Sequence, residues 1–358
     1  MKKFFAIALA LLLILGISAA LAEESEPTVY TSGDYQYILL PDGTAEITDY
    51  TGKDTVLSIP AQLDGYTVTS IGDRAFIFCG GLTEITLPEG LTSIGDEAFF
   101  ACGSLTEITL PVGLKSIGES AFSYCEGLKE ITLPAGLTSI GDRAFQFCAG
   151  LTEITFPEGL TSIGAAAFAY CNGLTEITLP EGLTSIGNYA FDLCGSLTEI
   201  TIPDSVTEMG GNPFSDYGKL TQIKVSPDHA VFASIDGVLF HKQEKKLICY
   251  PRGKPGETYA VPQGIAAIGN DAFSYCESLT EITLPEGLTS IGEDAFFYCK
   301  GLTAITLPET LAEIGKDAFN GCPEDALFTV VRGSYAARWC KENGKSYTYT
   351  DANDRLLN

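Results

Sequence analysis

Apolar positions along this chain recur in long, regular blocks. From Leu82 to Ser104 the residues read LTEITLPEGLTSIGDEAFFACGS, in which Leu82, Ile85, Leu87, Leu91, Ile94, Ala98, Phe99 and Cys102 are apolar or small and the positions between them mostly polar. Close copies begin at Leu105, Leu128, Leu151, Leu174, Leu197, Leu279 and Leu302, a unit of 23 residues. Self-similarity at this length marks an array in which each unit hides its apolar positions against its neighbours. Within the unit, Glu84-Ile85-Thr86-Leu87 alternates polar and apolar with β-branched residues, which predicts a half-buried strand that Pro88 ends. A second extended piece, Leu91 to Ile94, stops at Gly95, and Asp96 to Ala101 combine helix-compatible residues with a capping aspartate, which predicts one short helical turn. One unit has too little apolar surface to offset its own backbone ordering, so the array must fold by stacking.

Nine cysteines keep the same beat: Cys79, Cys102, Cys125, Cys148, Cys171 and Cys194, then Cys276, Cys299 and Cys322. The resulting pattern, LxxIxLPxxLxxIGxxAFxxC, resembles the BspA-like class of leucine-rich repeats, found in secreted and surface proteins of bacteria and some parasitic protists. The resemblance covers about Leu57 to Cys322. It implies a leucine-rich-repeat solenoid, right-handed, with short parallel strands on one face and short helical turns on the other, in about ten 23-residue turns. It also implies adhesion to host, matrix or neighbouring-cell proteins.

The ends and one interior stretch depart from the repeat. Residues 1–22 have two lysines before an unbroken apolar run that closes on Ala20-Leu21-Ala22, the layout of a secretory signal peptide. Residues 23–56 hold YQYILLPDGTAEITDY, which reads as a capping hairpin turning at Asp42-Gly43. Repeats are expected over 57–225 and 259–322, and a C-terminal cap of strand, short helix and strand over 323–358. Between the two repeat blocks the ruler slips, with Tyr217 where a cysteine belongs. Residues 226–258 then carry strand-like VLF and LICY around a charged HKQEKK turn, which predicts a hairpin projecting from the solenoid, either packed for structure or used for recognition.

The formal net charge is −25, and loss of Lys2 and Lys3 with a signal peptide makes it −27. Such a surface repels nucleic acid and anionic membranes, and beyond the leader no apolar run approaches the ~20 residues of a membrane helix, so neither nucleic-acid binding nor membrane insertion is expected. Ligands spaced by one repeat stack in a column instead of converging on an ion, so no metal and no cofactor is expected from the cysteines. Adjacent cysteines lie within reach of disulfides, but the column also reads as buried free thiols serving as small core residues.

Catalytic chemistry finds no nucleophile elbow, HExxH or phosphate loop, and His229 and His241 lack an evident nucleophile, so the chain reads as non-enzymatic. Two columns are candidate binding surfaces for an extracellular protein or glycan. The first is the outward ladder Glu84, Glu107, Glu130, Glu153, Glu176 and Glu199 with Thr86, Thr109, Thr132, Thr155, Thr178 and Thr201, which either solvates the strands or docks a partner. The second is the aromatic column before the cysteines, Phe78, Tyr124, Phe147, Tyr170, Tyr275 and Tyr298, which either forms an exposed strip or packs over the turns. Binding at the cell surface is the expected role, with an architectural spacer presenting a partner as the alternative.

Overall fold

A computed structural model describes residues 27–215 and 218–350; the expected signal peptide and Tyr217 lie outside them. The chain forms a parallel β-solenoid of about 13 turns spaced by about 23 residues. The count exceeds the ten regular units because the caps and the interior stretch contribute rungs of their own. All eight apolar positions of the type unit are buried, from Leu82 to Cys102. The core phenylalanines form a column: Phe76, Phe99, Phe122, Phe145 and Phe168 stack at centroid distances of 5.1 to 5.3 Å.

Three sides surround this core. The first carries strands such as Glu84–Thr86, paired in register with Glu107–Thr109, and Glu130–Thr132, paired with Glu153–Thr155. The second carries two-residue Ser-Ile strands, Ser93–Ile94, Ser116–Ile117, Ser139–Ile140, Ser162–Ile163 and Ser185–Ile186, in one unbroken parallel sheet.

The third side differs from the expected helical turn. Glu97 and Ala101 sit in the left-handed region at φ 54° and 59°, which interrupts any helix. Their amides, with that of Phe99, donate to Glu119, Ser123 and Ala121 carbonyls of the next rung at 2.8 Å, while Phe100 and Cys102 close short turns onto Glu97 and Phe99. Asp96 caps no helix either: its Oδ1 accepts the Glu119 amide of the following rung at 2.7 Å. Helix propensity loses here because an α-helix would direct these amides along its own axis and leave the neighbouring rung's carbonyls without donors.

At the N-terminus, strands β1 (Tyr30–Ser32), β2 (Tyr35–Leu39) and β3 (Ala45–Tyr50) form an antiparallel cover. Gly43 turns at φ 82°, and β3 then pairs in parallel with Tyr66–Ile71 to start the stack. At the C-terminus, Leu327–Val330, helix α1 (Tyr335–Glu342) and Tyr347–Tyr349 close the last rung. Ser334 caps α1 by accepting the Ala337 amide at 3.1 Å.

The interior stretch does not project. Strands Phe232–Ile235, Val238–His241 and Lys246–Cys249 form an antiparallel meander whose last strand pairs in parallel with Ala267–Ile268 and so becomes a rung. Phe232, Leu239, Ile248 and Cys249 join the core of the first repeat block, whereas Val238, Phe240, Leu247 and Tyr250 join that of the second. Apolar side chains on both faces of VLF and LICY forbid projection into water, and the meander is therefore wedged between the two blocks.

Candidate functional site

The Glu-Ile-Thr side is built by alternation: each Ile points inward and is buried, and each Glu and Thr points out. All twelve ladder residues, from Glu84 and Thr86 to Glu199 and Thr201, are exposed. Glu84 lies beside Glu107, and Glu130 beside Glu153. Among the described residues only Glu199 of the six glutamates has an ion-pair partner, Lys224 at 2.7 Å. That ammonium holds the Glu199 carboxyl below the usual carboxylate range.

The ladder is not one sheet. Glu176 and Thr178 belong to no strand, and a cleft of about 670 Å³ opens there, lined by Glu153, Thr155, Glu176, Thr178 and Glu181 among others. A second, shallow cleft of about 430 Å³ is lined by Glu107, Thr109, Glu130 and Thr132. The Ser-Ile strands on the second side pair without a break from Ser93 to Ile186.

The aromatic column occupies the third side. Phe78, Tyr124, Phe147, Tyr170, Tyr275 and Tyr298 all adopt positive φ, between 55° and 65°. Phe78 is 69% exposed, Tyr124 38% and Tyr298 38%, while Phe147, Tyr170 and Tyr275 are half-buried. Tyr124 stacks on Phe147 at 4.4 Å, and Phe147 on Tyr170 at 4.2 Å. The rings thus pack on one another and remain accessible at their outer edges. The sequence pattern overlooked Phe100, which lies in contact with Phe78 and Tyr124; the run Phe99-Phe100 was the available signal.

The histidines serve the fold. His229 is 1% exposed, and its Nδ1 accepts the Val231 and Phe232 amides at 3.1 Å, which assigns the proton to Nε2, donating to the Pro203 carbonyl at 3.2 Å. Both ring nitrogens are committed to main chain. His241 Nδ1 accepts the Glu244 amide at 3.1 Å. The cysteine thiols repeat one bond: Cys102, Cys125, Cys148 and Cys171 each donate to the carbonyl of a phenylalanine one rung earlier, at 3.1 to 3.3 Å. Burial raises the Cys148 and Cys276 thiols to about 12. Cys299 and Cys322 make the same bond, to the Phe273 and Phe296 carbonyls at 3.0 and 3.1 Å, but Cys322 is only half-buried.

The profile of the family described as BspA type Leucine rich repeat region matches residues 45–173, 138–244 and 256–330, in 6 copies. The chain belongs to this family. A leucine rich cell surface protein of known structure from Faecalibacterium prausnitzii A2-165 is 32% identical, with 93% of this BspA-type chain and 97% of that one covered and a TM-score of 0.75. Two further structures share the fold: the pneumococcal vaccine antigen PcpA, at 21% identity with 90% and 98% covered and a TM-score of 0.59, and a leucine-rich repeat protein from Eubacterium ventriosum ATCC 27560, at 24% identity with 86% and 73% covered and a TM-score of 0.56. Among curated proteins no sequence matches the chain. No helix among the described residues of this BspA-type chain is long and apolar enough to cross a membrane.

Proposed function

We propose that this chain is a secreted or surface-associated protein without enzymatic activity that adheres to an extracellular protein of host, matrix or neighbouring cell through its Glu/Thr side. The observation that carries this reading is the set of exposed glutamates at rung spacing, of which Glu199 alone has a cation of the chain beside it among the described residues. Stacked carboxylates repel one another, and a basic partner face relieves that repulsion on docking. The clefts at Glu107/Glu130 and Glu153/Glu176 add relief that a flat sheet lacks. The cell-surface naming of the Faecalibacterium structure supports the location.

The test is binding of the secreted chain to immobilised matrix proteins, mucin glycans and bacterial surfaces across a salt series. Changing Glu107, Glu130 and Glu153 together to lysine is expected to weaken binding by about ten-fold or more, the equivalent of about 1.4 kcal/mol. Binding that ignores both salt and these reversals would remove the ladder as the contact face. Absence of binding to every surface would favour the spacer.

A further inference from the structure

We propose that the outer strip Phe78, Phe100, Tyr124, Phe147 and Tyr170 docks lysine and arginine side chains of an extended basic polypeptide. This deepens the protein-binding reading and places a second contact on a different side of the solenoid.

The strip is continuous although the column is not. Ala101 stands where the column would place an aromatic residue, and Phe100, one position earlier, fills the gap. Its ring lies edge-on to Phe78 at 5.9 Å and 87°, and to Tyr124 at 5.3 Å and 61°. Stacked contacts then carry the strip from Tyr124 through Phe147 to Tyr170.

The backbone does not require these rings. Phe78, Tyr124, Phe147 and Tyr170 hold φ of 61°, 62°, 61° and 65°, a region that costs a residue with a side chain roughly 1–2 kcal/mol. Gly321 occupies the matching position of the last regular unit at φ 74°, where that cost vanishes, and Ala101 and Leu193 occupy others. Ring stacking returns about 0.5–1.5 kcal/mol per pair beyond the area buried, which offsets that cost where the rings are half-buried; Phe78, 69% exposed, gains least from burial. Two positions after each ring the exposed residues are Gly80, Gly103, Glu126, Ala149 and Asn172, mostly small, with one carboxylate beside Tyr124.

The other half of the same column shows what the rings accept. The Arg252 guanidinium lies 4.6 Å over the Tyr275 ring, and Lys300 Nζ lies 5.5 Å over that of Tyr298. Ring faces attract cations through their quadrupole. Phe78, 69% exposed, offers its ring to a charged head, and the ledge from Tyr124 to Tyr170 suits the aliphatic stems. A net charge of −25 steers basic segments toward the chain. A glycan needs open faces along its length, but those of Tyr124 and Phe147 cover each other.

The experiment is fluorescence anisotropy of a labelled Lys/Arg-Ala peptide with the secreted chain and with the triple variant Phe78→Gly, Phe100→Ala, Tyr124→Gly. The variant keeps the net charge, so non-specific attraction to an acidic protein is unchanged. Peptide affinity is expected to fall about ten-fold, with Tyr124→Phe restoring most of the loss at that rung. If the triple variant unfolds, Phe78→Gly alone carries the test, with an expected loss of about three-fold at this exposed rung. Unchanged affinity overturns the proposal, as does an unchanged peptide affinity accompanied by lost binding to neutral mucin glycans. The glutamate-to-lysine variant in the same assay separates the two readings: peptide binding lost there but kept in the strip variant removes the strip and leaves the ladder.

Discussion

The core phenylalanines and the outer aromatics repeat at the same spacing on the same rungs, yet they answer to different constraints. Phe99, Phe122 and Phe145 are fully buried, nearly parallel at 7° and 4°, and each neighbours a small alanine, Ala98, Ala121 or Ala144, also fully buried. Within the regular units no alternative residue fills that column; at the N-terminal cap and the meander Tyr50 and Tyr250 continue it, packed against Phe76 and Phe273. Phe78, Tyr124 and Phe147 meet one another at angles from 14° to nearly perpendicular contacts through Phe100, and their positions tolerate alanine, leucine and glycine elsewhere in the chain. An invariant column maintained by packing and a variable one maintained at a conformational cost are different kinds of repeat.

The sharpest way to break this comparison is paired mutation. Phe122→Ala is expected to destabilise by about 3–5 kcal/mol in chemical denaturation, because it leaves a cavity between two stacked rings. Phe147→Gly is expected to cost clearly less than Phe122→Ala, since relief of the left-handed backbone offsets part of the lost stacking and burial of a half-buried ring. Equal losses in the two variants would mean that the outer column is structural after all.

A second expected effect is loss of stability at high pH. Thiols such as Cys148 and Cys276 stay neutral in the folded chain up to about 12, whereas in the unfolded chain they ionise near ~8.5. Their contribution is therefore complete below the unfolded value and is lost progressively as pH rises from about 9 toward 12. Thermal unfolding at rising pH should show a falling midpoint, and a Cys148→Ala, Cys276→Ala variant should show a shallower fall. Alkylation at neutral pH should label the half-buried Cys322 before Cys125, which is buried and raised in pKa.

Smaller effects test the third side. Asp96→Ala removes the acceptor for the Glu119 amide and should cost about 1 kcal/mol, read by denaturation. Ala101→Gly, at φ 59°, should stabilise by a few tenths up to about 1 kcal/mol, read by the same denaturation. A helical turn at 96–101 would make the same change destabilising.

Much of this was legible in the residues. Alternation in Glu84-Ile85-Thr86 placed Ile85 inside and its neighbours outside, and the eight recurring apolar positions all lie in the core. Three features were not. The AF segment read as helical because Asp, Glu and Ala favour helix locally, while the bonds that decide its shape go to residues of the next rung. The meander read as projecting because its HKQEKK turn is charged, although VLF is buried on both faces. Phe100 was missed because it is off the column by one position and reaches it only through its ring.

Sequence alone determined the period, the inward positions, the acidic outward ladder and the family, because each depends on residues within one 23-residue unit or on its copying. Tertiary structure decided which ladders stay continuous, how the third side turns and where the meander sits. Those depend on what each rung meets across the stack: a neighbouring carbonyl for an amide, or two separate cores for one strand.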